Sequence, residues 1–128
     1  MAKLICKDSV RIVNIQAGLA FIIFALEEYC RLNLGLPDEI VITSIGDGKH
    51  LPKSKHYIGE ALDIRSHNFK SREDKRYFRS MFERFINGHP LLGFYHPTRF
   101  NKFRVLLENE STDNEHFHVQ VKKGEKFP

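Results

Sequence analysis

The chain has no tryptophan and only two cysteines, Cys6 and Cys30. Two cysteines exclude a disulfide framework, although one bridge between them remains open. The absence of any Cys-x-x-Cys pair excludes a thiolate zinc knuckle. Small, half-buried thiols are the simpler reading of both. Long hydrophobic runs are also missing. The longest apolar stretch free of charge is residues 17–26, about half of the roughly 20 residues that a membrane-spanning helix needs. Lys3, Lys7 and Arg11 precede that stretch in the manner of a signal peptide, but Glu27, Glu28 and Tyr29 stand where a small-residue cleavage site belongs. The stretch therefore reads as a core helix. The expectation is a protein made in the cytoplasm without a clear signal peptide, beginning near Met1. There is no internal repeat, no low-complexity segment and no linker.

What is present fits one soluble domain spanning residues 1–128. Hydrophobic residues make up 41% and charged residues 28%, the balance of a globular chain able to bury one core. Eleven Phe and four Tyr make that core Phe-rich. The net charge of +4 is unevenly spread: residues 65–104 hold half of the 20 basic groups, whereas residues 105–121 carry only acidic ones.

Hydrophobic spacing predicts a helix over residues 15–34, with Leu19, Ile22, Ile23, Leu26, Tyr29 and Cys30 on one face. Gly35 and Pro37 end it. A β-branched strand follows over residues 39–45, and then a turn at Gly46, Asp47 and Gly48. A second helix covers residues 72–87. Ser71 and Asp74 form its capping pair, Tyr77, Phe78, Met81, Phe82, Phe85 and Ile86 its apolar stripe, and Asn87 and Gly88 its end. Residues 61–65, 103–108 and 116–121 read as strands. The last alternates strictly, with His116, His118 and Gln120 on one face and Phe117, Val119 and Val121 on the other. The expected class is α+β, a small, mostly antiparallel sheet flanked by helices.

Seven histidines occur, and arrangement matters more than number. Two stretches stand out: Ser54-Lys55-His56-Tyr57-Ile58-Gly59-Glu60-Ala61-Leu62-Asp63 and Glu115-His116-Phe117-His118. Asp63 lies between Leu62 and Ile64 in an apolar segment, and a carboxylate there needs a partner, which a metal supplies. The pattern resembles the zinc D,D-/L,D-peptidases of the M15 type, whose Ser-x-His-x-x-Gly-x-Ala-x-Asp motif is followed by Glu-x-x-His. The resemblance runs over about residues 40–121 and implies the hedgehog/D,D-peptidase fold. It makes His56, Asp63 and His118 the zinc ligands and Glu115 the catalytic base, and its Ser54 position suggests a substrate contact, with an ordinary turn serine as the other reading. His116 shares the His118 face and is open as a ligand, a substrate contact or a transition-state donor, with substrate or transition-state contact the favoured reading. The chemistry is consistent. Two imidazoles and one carboxylate leave a catalytic zinc one open position for water, and its charge lowers the pKa of that water toward about 7. Glu115 and His118 would fall on opposite faces of a regular strand, so Glu115 is expected in a bend, curling back toward the metal.

One departure stands out. Such peptidases commonly carry an arginine after the first strand, in a Thr-Ser-Gly-Tyr-Arg-like segment, that aids the substrate or the developing oxyanion. This chain has Thr43-Ser44-Ile45-Gly46-Asp47, with Asp47 about where that arginine would stand. Lys49, His50, Lys53 and Arg65 are the cations available to replace it.

The resemblance implies a zinc metallopeptidase of the D,D-carboxypeptidase or L,D-endopeptidase type. Its substrate would be the peptidoglycan stem peptide, cut in the manner of small phage endolysins and D-alanyl-D-alanine carboxypeptidases. It would act on the cell wall as a monomer, with neither a nucleic acid nor a membrane as partner. The basic segment 65–104 suits an anionic wall polymer or is simply a solvated helix face. The alternative is a metal-containing wall- or peptide-binding module of the same fold with weak or no turnover. Nucleic-acid binding finds no supporting motif. A non-haem iron site would not ask for Glu115. Glu108, Glu110, Asp113 and Glu115 lack EF-hand spacing.

Overall fold

A computed structural model describes residues 1–10, 17–45, 61–90 and 102–121. The elements run β1 (Lys3–Cys6), α1 (Ala17–Leu32), β2 (Glu39–Ser44), β3 (Ala61–Arg65), α2 (Arg72–Asn87), β4 (Phe103–Glu108) and β5 (His116–Val121). The five strands form one open sheet in the order β1-β2-β3-β5-β4. Only the β1–β2 pair is parallel. The class is therefore α+β, with a mostly antiparallel sheet and two helices. The β1 strand is an addition to the sequence reading: four residues, too short to show alternation, are held by their pairing with residues 39–42.

Both helices pack on one face of the sheet. From α1, Leu19, Ile22, Leu26 and Tyr29 point inward; from α2, Phe78, Phe82 and Ile86 do the same. They meet Ile40, Ile42, Leu62, Ile64, Phe103, Val105, Phe117, Val119 and Val121 of the strands. The rings interlock: Phe78 lies parallel to Phe82 at 5.6 Å between centroids and edge-on to Phe117 at 4.9 Å. Each such ring contributes roughly 1.5–3 kcal/mol by leaving water. Tyr77, expected in the stripe, is 65% exposed, because its position lies at the stripe's edge and faces solvent. No described helix is long and apolar enough to cross a membrane.

Ser71 caps α2 by accepting a hydrogen bond from the Asp74 amide at 3.1 Å, and Glu73 and Asp74 lie in the first turn, where negative charge is favoured. The far side of α2 has another use. Strand β4 is a sheet edge, and side chains of α2 occupy its outer backbone groups. The Asn87 carboxamide donates to the Phe103 carbonyl and accepts from the Phe103 amide, at 3.0 and 2.9 Å. Glu83 accepts from the Val105 amide and Arg79 donates to the Val105 carbonyl. These side chains stand in for a sixth strand and block edge pairing. Replacing Asn87 with Leu strands two backbone groups, so a loss of about 1–3 kcal/mol is expected in urea unfolding; an unchanged midpoint would show that water serves the edge equally well.

Candidate functional site

The other face of the sheet carries the polar side chains, and alternation puts them there. In β3, Leu62 and Ile64 enter the core, so Asp63 faces away from it; in β5, Phe117 and Val119 enter the core, so His116, His118 and Gln120 face the same way as Asp63. The β3–β5 register sets Asp63 directly opposite His118. Next to Asp63 the β2–β3 ladder shifts: Ile42 pairs with Ile64, but Ser44 pairs with Asp63, leaving one extra residue in β2. Such irregularities re-aim side chains and are frequent beside functional sites.

Asp63 Oδ1 lies 3.0 Å from His118 Nδ1. On the other side of the ring, His118 Nε2 lies 2.8 Å from Gln120 Oε1. The register brings Glu108 of β4 opposite His116. Glu108 Oε1 is 3.0 Å from His116 Nε2 and 4.0 Å from His118 Nδ1, and Asp63 Oδ1 is 3.8 Å from His116 Nε2. His116 Nδ1 faces the Asn114 carbonyl at 2.7 Å. Burial lowers the His118 pKa, but the hydrogen bond and charge of Asp63, joined by Gln120 and Glu108, outweigh it and hold it above the usual histidine value.

Asp63 and His118 supply two donors of the types that zinc accepts. A carboxylate oxygen and an imidazole nitrogen suit a borderline cation, and two ligands on one tetrahedral zinc stand about 3.3 Å apart when each bond is about 2.0–2.2 Å. The 3.0 Å separation of Asp63 Oδ1 and His118 Nδ1 is that of a direct hydrogen bond, a little shorter than this spacing. Two of the three expected ligands are thus neighbours. His56, the third, lies outside the described residues, as do Ser54 and Asp47 with the candidate replacements Lys49, His50 and Lys53. Among the described residues, no group of three or more His, Cys, Asp or Glu side chains is arranged to hold a metal ion.

Glu115 takes a different position from the one expected. Its parity matches Phe117, and its carboxylate turns to the helix side of the sheet instead of curling toward Asp63 and His118. Oε1 accepts from Lys75 of α2 and from the Ser66 hydroxyl, the latter at 2.7 Å; Oε2 accepts from the Ser111 amide at 2.9 Å. The group is 4% exposed. Burial pushes its pKa up, but the bonds from Lys75, Ser111 and Ser66 and the Lys75 charge overcome this and hold it at about 2. A carboxylate so committed is a weak acceptor at neutral pH, because a general base works best with a pKa near the working pH. It does explain the turn between β4 and β5, where Asn109 and Ser111 take left-handed backbone angles of φ 53° and 69°. The Ser111 strain is held by the hydrogen bond that its backbone N–H donates to Glu115 Oε2.

The basic face of α2 is also engaged internally. Arg72 and Arg76 both pair with Glu110, Lys75 with Glu115, and Arg79 with Glu83. Arg72, Lys75 and Arg76 of the basic block thus pair with acidic residues of the 105–121 block. Sequence reading missed Glu108 and Gln120 as members of the site. Pairing strand 103–108 with strand 116–121 as a hairpin would have revealed Glu108 opposite His116.

No family model, curated protein or solved structure matches the chain.

Proposed function

We propose that the chain is a zinc-dependent peptidase that hydrolyses an amide bond in the peptidoglycan stem peptide, on a hedgehog/D,D-peptidase-like scaffold. The observation that carries this reading is the Asp63–His118 pair, set side by side from adjacent strands on the face opposite the helices. The resemblance of residues 54–63 and 115–118 to M15-type peptidases supplies the reaction and the wall-lytic, endolysin-like setting. His56, Asp63 and His118 would hold the metal, which when bound supplies Lewis acidity and an acidified water. The chain's own residues do the rest. Asp63 and His118 present their donor atoms together. His116 is braced between Glu108 and the Asn114 carbonyl, where it meets substrate. Ser54 is a further substrate contact on the motif's showing. Glu108, on the Asp63 face and partly exposed, takes the water proton on its carboxylate in place of Glu115, whose carboxylate is held by Lys75.

The experiment is digestion of purified peptidoglycan, with the products read by mass spectrometry with and without a chelator. Chelator-sensitive release of stem-peptide fragments is expected, and Glu108→Gln should slow it by about 10²–10⁴-fold with zinc retained. Absence of cleavage at full zinc occupancy sinks the hydrolase reading. One observation favours the second reading, a wall- or peptide-binding module with weak turnover: the salt bridge that occupies Glu115. That module would bind muropeptides equally well as wild type and as Glu108→Gln.

A further inference from the structure

We infer that Gln120 is the positioning residue for His118: its carboxamide oxygen anchors the ring and fixes which nitrogen is presented to a metal. The inference rests on the metal-site reading above and adds a residue to it. Residues two apart on a strand share a face, and Gln120 follows His118 at that interval on β5. Its Oε1 lies 2.8 Å from His118 Nε2. A carboxamide oxygen only accepts, so Nε2 bears a hydrogen toward it; the Asp63 carboxylate likewise only accepts, so in the metal-free chain Nδ1 carries a hydrogen too, the one a metal would displace. Nδ1 is thereby the nitrogen directed at Asp63, 3.0 Å away. The contact at Nε2 holds the ring's rotation and keeps that nitrogen occupied, so Nδ1, on the Asp63 side, is the edge a metal would take. Partners of this kind orient metal-ligating histidines generally.

The neighbours allow this contact. In register, Gln120 stands opposite Ala61 of β3 and Arg104 of β4. Ala61 is fully buried and offers only a methyl group, so the Gln120 side chain has room to fold back over its own strand toward His118. A larger residue at 61 would take that space. This gives the alanine of the Ser-x-His-x-x-Gly-x-Ala-x-Asp stretch a use in this chain.

The test measures zinc affinity by competition with a chromophoric chelator for wild type, Gln120→Leu and Gln120→Glu, with ¹⁵N imidazole NMR of the metal-free wild type alongside. Gln120→Leu removes the acceptor and should weaken zinc binding roughly 10–100-fold. Gln120→Glu keeps an oxygen in place and should bind within a few-fold of wild type. The NMR should show the hydrogen on Nε2 of His118 engaged in a hydrogen bond, and it needs no variant to fold. Equal zinc affinity in wild type and Gln120→Leu overturns the role of Gln120 and leaves the metal site standing. Equal losses in Gln120→Leu and Gln120→Glu overturn it too, since packing alone would then be at work. A wild type that binds no zinc overturns the metal site itself.

Discussion

Glu115→Gln should unfold at markedly lower urea concentration than wild type at pH 7, with a loss of about 3 kcal/mol. The figure follows from breaking a buried ion pair by removing one partner, which typically costs about 3–5 kcal/mol because the remaining charge stays behind uncompensated. Lys75 is that remaining charge, with only 16% of its side chain exposed. The effect has a pH signature. The Glu115 carboxyl is held at about 2, below its ordinary 4.5, so its stabilisation is complete above 4.5 and vanishes as the pH falls through about 2. A shift of this size corresponds to roughly 3 kcal/mol at neutral pH. Urea titrations at pH 7 and pH 3 should therefore show wild type losing part of this stability over the interval and Glu115→Gln losing much less. Lys75→Met should be destabilised in the same sense. If Glu115→Gln keeps the wild-type midpoint and instead loses all turnover with zinc bound, Glu115 regains the role of base.

The sequence made the framework legible wherever periodicity was strong. Both helices and strands β2 to β5 lie where their hydrophobic spacing puts them, because buried faces impose periods of about four and of two residues. β1 escaped because four residues cannot display a period and their partner is distant in the chain. The placement of Asp63 and His118 on the helix-free face was legible from alternation alone. The direction of Glu115 was not. Its parity pointed to the helices, but a bend was invoked to bring it to the metal, and the competing attraction of Lys75 lies 40 residues away on α2. The basic block 65–104 and the acidic block 105–121 held that information. They are complementary neighbours in space, and Glu110 sits between Arg72 and Arg76 for the same reason. Exposed pairs of that kind are worth little each, about 0–1 kcal/mol. They join α2 to the β4–β5 turn, as does the buried Lys75–Glu115 pair, which is costly to break from one side.

Removing Asp63 or His118, the two described residues of the proposed metal site, should have the largest effect on function. Asp63→Ala and His118→Ala are each expected to abolish high-affinity zinc binding and to lower peptidoglycan cleavage at least about a thousandfold, since the group that acidifies the water is lost with its ligands. Both variants should remain folded, because the two side chains stand outside the Phe-rich core on the opposite face of the sheet. The pair also sets a pH dependence. Asp63 holds the His118 pKa above the usual value, and a metal must displace the proton from Nδ1. Zinc affinity should accordingly rise with pH, by up to about tenfold per unit, up to the raised pKa and then level off. Asp63→Asn removes the charge that raises it, so the His118 titration followed by NMR should move to lower pH in the metal-free protein. The folded state shows the matching sign: the stabilisation from protonated His118 is full below the ordinary histidine value and is lost as the pH rises through the raised one. Zinc binding that is insensitive to Asp63→Ala, or a His118 titration unmoved by Asp63→Asn, would mean that the 3.0 Å contact is not the centre of this site. The metal, if one binds, would then have to be sought elsewhere in the chain.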